Sequence, residues 1–166
     1  MKLKSIFRNT LIITAILLNI GCDQVTKNIV RNKIEYHEKI HVIDNFLTLT
    51  KVENSGAFLS LGSNMPLLIK FLALNILPAI VMLWGLYLVI ERTDMSRPLV
   101  TGLCFVIGGG AGNLYDRIRF GSVTDFVHVN FGLFQTGIFN MADVSIMVGM
   151  GVILMDIYLK KLIVTS

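Results

Sequence analysis

Four aspartates, Asp23, Asp116, Asp125 and Asp143, stand in or beside long apolar runs of this sequence, where an ionised carboxyl is costly to keep. They sort by their neighbours. Lys27 follows Asp23 by four positions, so on a helix the two share a face and can pair. Asp116 is followed by Arg117, with Arg119 close by, and local cations of this kind keep a carboxylate ionised. Asp125, in Val123-Thr124-Asp125-Phe126-Val127, and Asp143, in Phe139-Asn140-Met141-Ala142-Asp143, have no basic residue within five positions. Two such carboxyls brought together near an apolar surface could share one proton and so split into an acid and a base. That is the chemistry of hydrolysis by paired aspartates: one carboxylate activates a water while the other, protonated, polarises the carbonyl to be attacked.

Plainer readings stand beside this one. Asn140 with Asp143 three later has the form of a capping box at a helix start, where a negative charge is also favoured by the helix dipole. Asp125 alone reads equally as a solvated loop acid, and Asp23 with Lys27 as an ion pair at a membrane interface. Gly108-Gly109-Gly110-Ala111-Gly112-Asn113 lacks the lysine and hydroxyl residue of a phosphate loop. Its Gly108 and Gly112 instead form a small face that lets spanning helices approach. Asn113 and Arg117, four apart, share a helical face and could orient a carboxylate or a substrate carbonyl. His37, His41 and His128 do not make a convincing zinc set, because the first two fall in strand or loop rather than helix. Neither Ser-His-Asp nor Cys-His chemistry is evident. Cys22 and Cys104 lie inside apolar runs and read as buried free thiols.

The elements that must position these groups are set by hydropathy. Of 166 residues, 54% are hydrophobic and 16% charged, and the mean hydropathy is +0.69. So much apolar surface requires a bilayer rather than water. The net charge of +4 is modest, and the 15 basic residues gather at the ends of apolar runs, which excludes a nucleic-acid binder's concentrated basic face. Spanning helices are expected at about 7–30, 67–90, 98–115 and 141–159, the second bearing Pro78 as a tolerated kink. Basic residues are densest at the amino end (Lys2, Lys4, Arg8), between the second and third spans (Arg92, Arg97) and at the carboxyl end (Lys160, Lys161). This places both termini in the cytoplasm and the four aspartates toward the outer face. Of the outer loops 31–66 and 116–140, the first holds alternating, β-branched stretches at Lys39–Ile43 and Phe46–Val52 that predict short strands. Leu59–Met65 reads as a short amphipathic turn in the interface. The fold expected is a membrane all-α core of four transmembrane helices, with a small extracytoplasmic β-rich subdomain and a short interfacial helix, all in one domain over 1–166. Gly21-Cys22-Asp23 after an apolar stretch imitates a lipoprotein signal, but Asn19 stands where an aliphatic residue is wanted, and three further spans follow.

Five short segments, in order, resemble the bacterial lipoprotein signal peptidase family (signal peptidase II). They are Asp23-Gln24-Val25-Thr26-Lys27, Asn54-Ser55-Gly56-Ala57-Phe58, Gly108 through Arg117, Gly121-Ser122-Val123-Thr124-Asp125-Phe126, and Phe139-Asn140-Met141-Ala142-Asp143. Each alone is weak; five in order on a four-span chain are strong, and they cover nearly its whole length. The resemblance implies an aspartyl endopeptidase of the bacterial cytoplasmic membrane whose catalytic pair falls on Asp125 and Asp143. It implies that Asn54, Gly56, Asn113, Arg117 and Asn140 line the site, supported by Asp23, Lys27 and Asp116. The implied substrate is a diacylglyceryl-modified prolipoprotein, cut just before the lipidated cysteine at the outer face. No metal or organic cofactor is implied, globomycin-type inhibitors are expected to bind, and a monomer working in membrane lipid is expected. Departures are Gly110-Ala111, where alanine and a bulkier aliphatic are expected, and Ala57-Phe58, where two small residues commonly precede an aromatic. Rival readings are a proton-coupled transporter, which would spread its acids through mid-membrane, and a scaffold using the glycine face, which leaves the convergence of acids and asparagines unexplained.

Overall fold

A computed structural model describes residues 2–56 and 65–165. Helix α1 spans Lys2–Lys33 and ends on Arg31 and Lys33, cations suited to the negative end of a helix dipole. Strands β1 (Ile40–Ile43) and β2 (Leu47–Asn54) follow. Helix α2 runs Leu67–Glu91, α3 Arg97–Phe120, β3 Val123–Val129 and α4 Met141–Thr165. All four helices are long and apolar enough to cross a membrane. The turn expected at Leu59–Met65 lies outside the described residues except for Met65, as do Ala57 and Phe58.

The helices extend past the expected spans because polar ends continue apolar ones. In α3, Pro98 sits in the first turn, where its missing N–H costs nothing. The helix continues to Phe120, well past Tyr115, and stops at Gly121, whose φ of 78° is the left-handed conformation that glycine adopts freely. The irregularity expected at Pro78 takes the form of a π-turn over Leu72–Ile76 just before it, a wider turn that absorbs the hydrogen bond proline cannot donate.

The predicted strands are present, and a third joins them where a loop was expected. Asp125 lies on β3, and the antiparallel order is β1-β2-β3. The register between β2 and β3 runs from Leu49 opposite Val127 to Val52 opposite Asp125, so β2 carries one extra residue, a bulge. Val30 and Ile34 at the end of α1 pack on Phe126, with Leu49 and Val127 beside them, seating the sheet on the bundle.

Inside the bundle, Ile12, Ile16, Val89, Cys104 and Ile107 form the apolar core. Cys104 is buried as expected, but Cys22 is exposed, because it lies about 100° round α1 from the inward-facing Asp23 and so off the face that meets the bundle. Leu67, Leu83 and Trp84 are each more than 60% exposed, a surface that only lipid makes favourable.

Glycines govern how closely α3 meets its neighbours. A Cβ on Gly108 would lie 2.6 Å from the Cβ of Asn19 on α1, and one on Gly112 would lie 2.5 Å from Oδ2 of Asp23. A Cβ on Gly109 would fall on the backbone carbonyl of Ala142 in α4, which cannot step aside as a side chain tip can. Gly109→Ala is therefore expected to lower stability by about 1–3 kcal/mol. Gly21→Ala, whose new Cβ meets nothing within 4 Å, should be neutral or gain up to about 1 kcal/mol. Thermal unfolding of both variants in detergent checks the contrast.

Candidate active site

The four aspartates converge at one end of the bundle, in two groups. The first is a buried charge cluster centred on Lys27. Its Nζ lies 2.8 Å from Asp23 Oδ2 and 2.9 Å from Asp116 Oδ2, and all three side chains are 0% exposed. Lys27 also donates to Asn113 Oδ1 at 2.8 Å. Arg31, one turn further along the same face of α1, reaches Asp116 Oδ1 at 2.9 Å and lies over the Phe120 ring. Two cations and two anions therefore balance, which a buried cluster requires. Gln24 donates to Asp23 and Asp116. The Asp23–Lys27 pair is thus a buried strut rather than an interfacial pair. Asp116 is held by α1 rather than by Arg117 and Arg119, because Arg119 is exposed and Arg117 turns to the pocket and Gly56 instead.

The second group is the pair without cations. Asp125 is delivered by β3, whose alternation sends Thr124 toward α1, where it accepts from Arg31 Nε, while Val123 and Asp125 face a pocket of about 340 Å³. Asn54 pairs with Val123, two residues from Asp125, so their side chains share a sheet face, and Asn54 Nδ2 donates to Asp125 Oδ2 at 3.0 Å. Phe139 pairs with Val127 on the edge of β3 through backbone bonds of 2.8 and 2.9 Å. This brings the next residue, Asn140, beside Asp125. Asn140 Nδ2 donates to Asp125 Oδ1 at 2.6 Å.

Asn140 also starts α4. Its Oδ1 accepts the N–H of Asp143 at 3.0 Å, and its own N–H donates to Asp143 Oδ2 at 3.1 Å. The capping box read from the sequence is therefore real, and it coexists with the pocket role: the other oxygen of Asp143 accepts from Asn113 Nδ2 at 2.9 Å, and Asp143 lines the same pocket as Asp125. Asp23 completes this helix start by accepting the N–H of Ala142 at 2.9 Å.

Both amides are oriented without ambiguity. The Lys27 ammonium only donates, so Asn113 turns its oxygen to it and its NH₂ to Asp143. The Asp143 N–H only donates, so Asn140 turns its oxygen there and its NH₂ to Asp125, with Asn113 Oδ1 also in reach at 3.2 Å. A continuous hydrogen-bonded path thus leads from Lys27 to both carboxyls. Neither Asp125 nor Asp143 forms an ion pair among the described residues. Burial pushes the Asp125 carboxyl up to about 6; the Asn54 bond opposes this, the nearby Asp143 charge adds to it and the Asn140 bond opposes it.

Arg117 lines the pocket and donates to the backbone oxygen of Gly56 at 3.0 Å. Its buried Nε has no hydrogen-bond partner among the described residues. Leu74 and Pro78 of α2, with Ile146 and Met147 one turn along α4 from Asp143, give the pocket its apolar lining. All the sequence-predicted site residues fall in these two groups or border them. Sequence reasoning missed Arg31, Gln24 and Glu53. Glu53 accepts from Ser122 at 2.6 Å and Thr124 at 2.8 Å, tying β2 to the segment leading into β3. The signal for Arg31 was available in the four-residue spacing of Asp23, Lys27 and Arg31.

This combination defines a multi-pass membrane protein with a linked carboxyl pair in a half-apolar pocket at one end of its helices. The family described as signal peptidase (SPase) II matches residues 15–159. A lipoprotein signal peptidase of Desulforapulum autotrophicum is 37% identical over 165 residues, covering 97% of this chain and 98% of that one. One of Streptococcus pneumoniae is 34% identical over 154 residues, covering 93% and 95%. A bacterial membrane enzyme solved by the in meso method superposes with a TM-score of 0.82 at 25% identity, covering 92% of this chain and 90% of that one. The chain belongs to the signal peptidase II family, a family of peptidases, and is a multi-pass bacterial membrane protein.

Removing the central cation tests the first group. Lys27→Met leaves Asp23 and Asp116 buried with one cation fewer, and is expected to cost about 3–5 kcal/mol. Lys160→Met removes a half-exposed partner of Asp156 and should cost no more than about 1 kcal/mol. Unfolding both variants in the same detergent separates the two.

Proposed function

We propose that this protein is an aspartyl endopeptidase that removes signal peptides from diacylglyceryl-modified prolipoproteins, cutting just before the lipidated cysteine. The observation that carries this reading is the joining of Asp125 and Asp143 through Asn140, in a pocket with one polar and one apolar wall. Asp143, in the first turn of α4 where a negative charge is favoured, is the base: it takes a proton from water, whose oxygen attacks the scissile carbonyl carbon. Asp125, raised toward 6, is the acid: its proton goes to the carbonyl oxygen. The tetrahedral intermediate collapses when the proton held by Asp143 passes to the leaving nitrogen, the C–N bond breaks, and Asp125 recovers its proton. Arg117, whose guanidinium lines the pocket, holds a substrate backbone carbonyl. The apolar wall from Leu74, Pro78 and Met147 leaves the substrate's acyl chains in lipid while the polar wall admits water.

The density of basic residues at the opposite end of the helices supports cytoplasmic termini and a site at the outer face of the cytoplasmic membrane. One copy of the chain supplies every group the reaction uses, in keeping with a monomer, and the pocket is also where a globomycin-type inhibitor would bind.

A gel-shift cleavage assay with a diacylglyceryl-modified prolipoprotein tests the reading. The parent should cut immediately before the lipidated cysteine, and Asp125→Asn and Asp143→Asn should each fold but lose about 10²–10⁴-fold in rate. A folded parent that does not cut, or an active variant, contradicts it. The pH profile gives a second check. Because Asp125 must be protonated, kcat/KM should fall as pH rises through about 6. A profile that instead rises through that range would assign Asp125 the base's part.

A further inference from the structure

At the end of the bundle remote from the carboxyl pair, a groove of about 670 Å³ runs between α1 and α3. Its mouth carries two guanidinium groups, Arg8 and Arg97, and its length is lined by Leu11 and Ala15 of α1 and Thr101 and Phe105 of α3. These residues recur every three or four positions on each helix, so the lining follows both axes for about 10–12 Å from the charged mouth. Arg97 is exposed. Arg8 is held in place by four bonds, Nη2 donating to the backbone oxygens of Val89 and Arg92, both at 2.8 Å, and Nη1 to Asn9 Oδ1 at 3.2 Å and the backbone oxygen of Ile90 at 3.3 Å, so it offers the groove its charge and its Nε–H. Neither arginine forms an ion pair among the described residues. Of the acids of this region, Asp156 bonds Ser96 and Lys160 and Asp94 lies beside Arg92, while Glu91 is exposed and forms no ion pair among the described residues.

We infer that this groove is a binding site for an anionic phospholipid, its phosphate between Arg8 and Arg97 and one acyl chain along Leu11, Ala15, Thr101 and Phe105. The charge pattern decides the occupant. A soluble phosphate would leave the apolar length unfilled, and a zwitterionic lipid carries its own cation against the two guanidinium groups. The groove is continuous with the exposed apolar surface of the bundle, so acyl chains are what reach it. The site is independent of the peptidase reading, since none of its residues touches the carboxyl pair.

Native mass spectrometry of the full chain in detergent, with phosphatidylglycerol and phosphatidylcholine of identical chains, tests it. The parent should retain phosphatidylglycerol at least about fivefold better, the scale of one basic side chain's attraction to an anionic lipid surface. Arg97→Gln should bring that preference close to parity. Thr101→Trp, which fills the groove from an exposed position without changing charge, should lower retention of phosphatidylglycerol. Equal retention of the two lipids by the parent, an unchanged preference in Arg97→Gln, or undiminished retention in Thr101→Trp would each overturn the assignment.

Discussion

The ammonium of Lys27, enclosed between Asp23, Asp116 and Asn113 with no exposure to solvent, is the interaction on which the rest of the site depends. A charge so placed is tolerable only when its counter-charges and hydrogen bonds are complete. That requirement fixes three helices against one another. Lys27 and Asp23 belong to α1 and Asp116 and Asn113 to α3, while Asp23 also holds the first turn of α4 through Ala142. The glycines of α3 follow from the same requirement, because a side chain at Gly112 would displace the Asp23 carboxylate from Lys27.

The carboxyl pair inherits its geometry from this cluster. Asn113 is turned by Lys27 and so presents its NH₂ to Asp143; Asn140 is turned by the start of α4 and so presents its NH₂ to Asp125. The sheet adds the remaining constraint. The backbone pairing of Phe139 with Val127 sets Asn140 next to Asp125, and the bulge in β2 sets Asn54 on the face that Asp125 occupies. Burial, with the Asp143 charge adding to it, raises the pKa of Asp125 against the opposing bonds from Asn54 and Asn140, while Asp116, earlier in the chain, is matched by cations.

Much of this was legible in the residues. Hydropathy located four helices to within a few positions at most ends, since apolar length is a strong constraint in a bilayer. The lack of local cations singled out Asp125 and Asp143, and the capping-box spacing correctly placed Asn140 and Asp143 at the start of a helix. Long-range pairing was not legible. Asp116 is adjacent in sequence to Arg117, yet its partners are Lys27 and Arg31, because the direction a side chain takes from a helix outweighs sequence proximity. β3 read as a loop since its polar Thr124, Asp125 and His128 mask the alternation, and its partner strand lies some seventy residues earlier in the chain. The exposure of Cys22 was misjudged for a related reason: an apolar run in a membrane helix does not say which face meets protein and which meets lipid.

Infrared titration of carboxyl groups tests the central claim most directly, that Asp125 and Asp143 form a coupled pair held by this cluster. The account predicts one protonated carboxyl titrating near pH 6 in the parent, absent from Asp125→Asn. In Asp143→Asn the same group should titrate at lower pH, because the neighbouring negative charge that helped raise it is gone. A parent with no carboxyl titrating in that range, or an Asp143→Asn variant whose titration is unmoved, would show that the two acids do not act on one another.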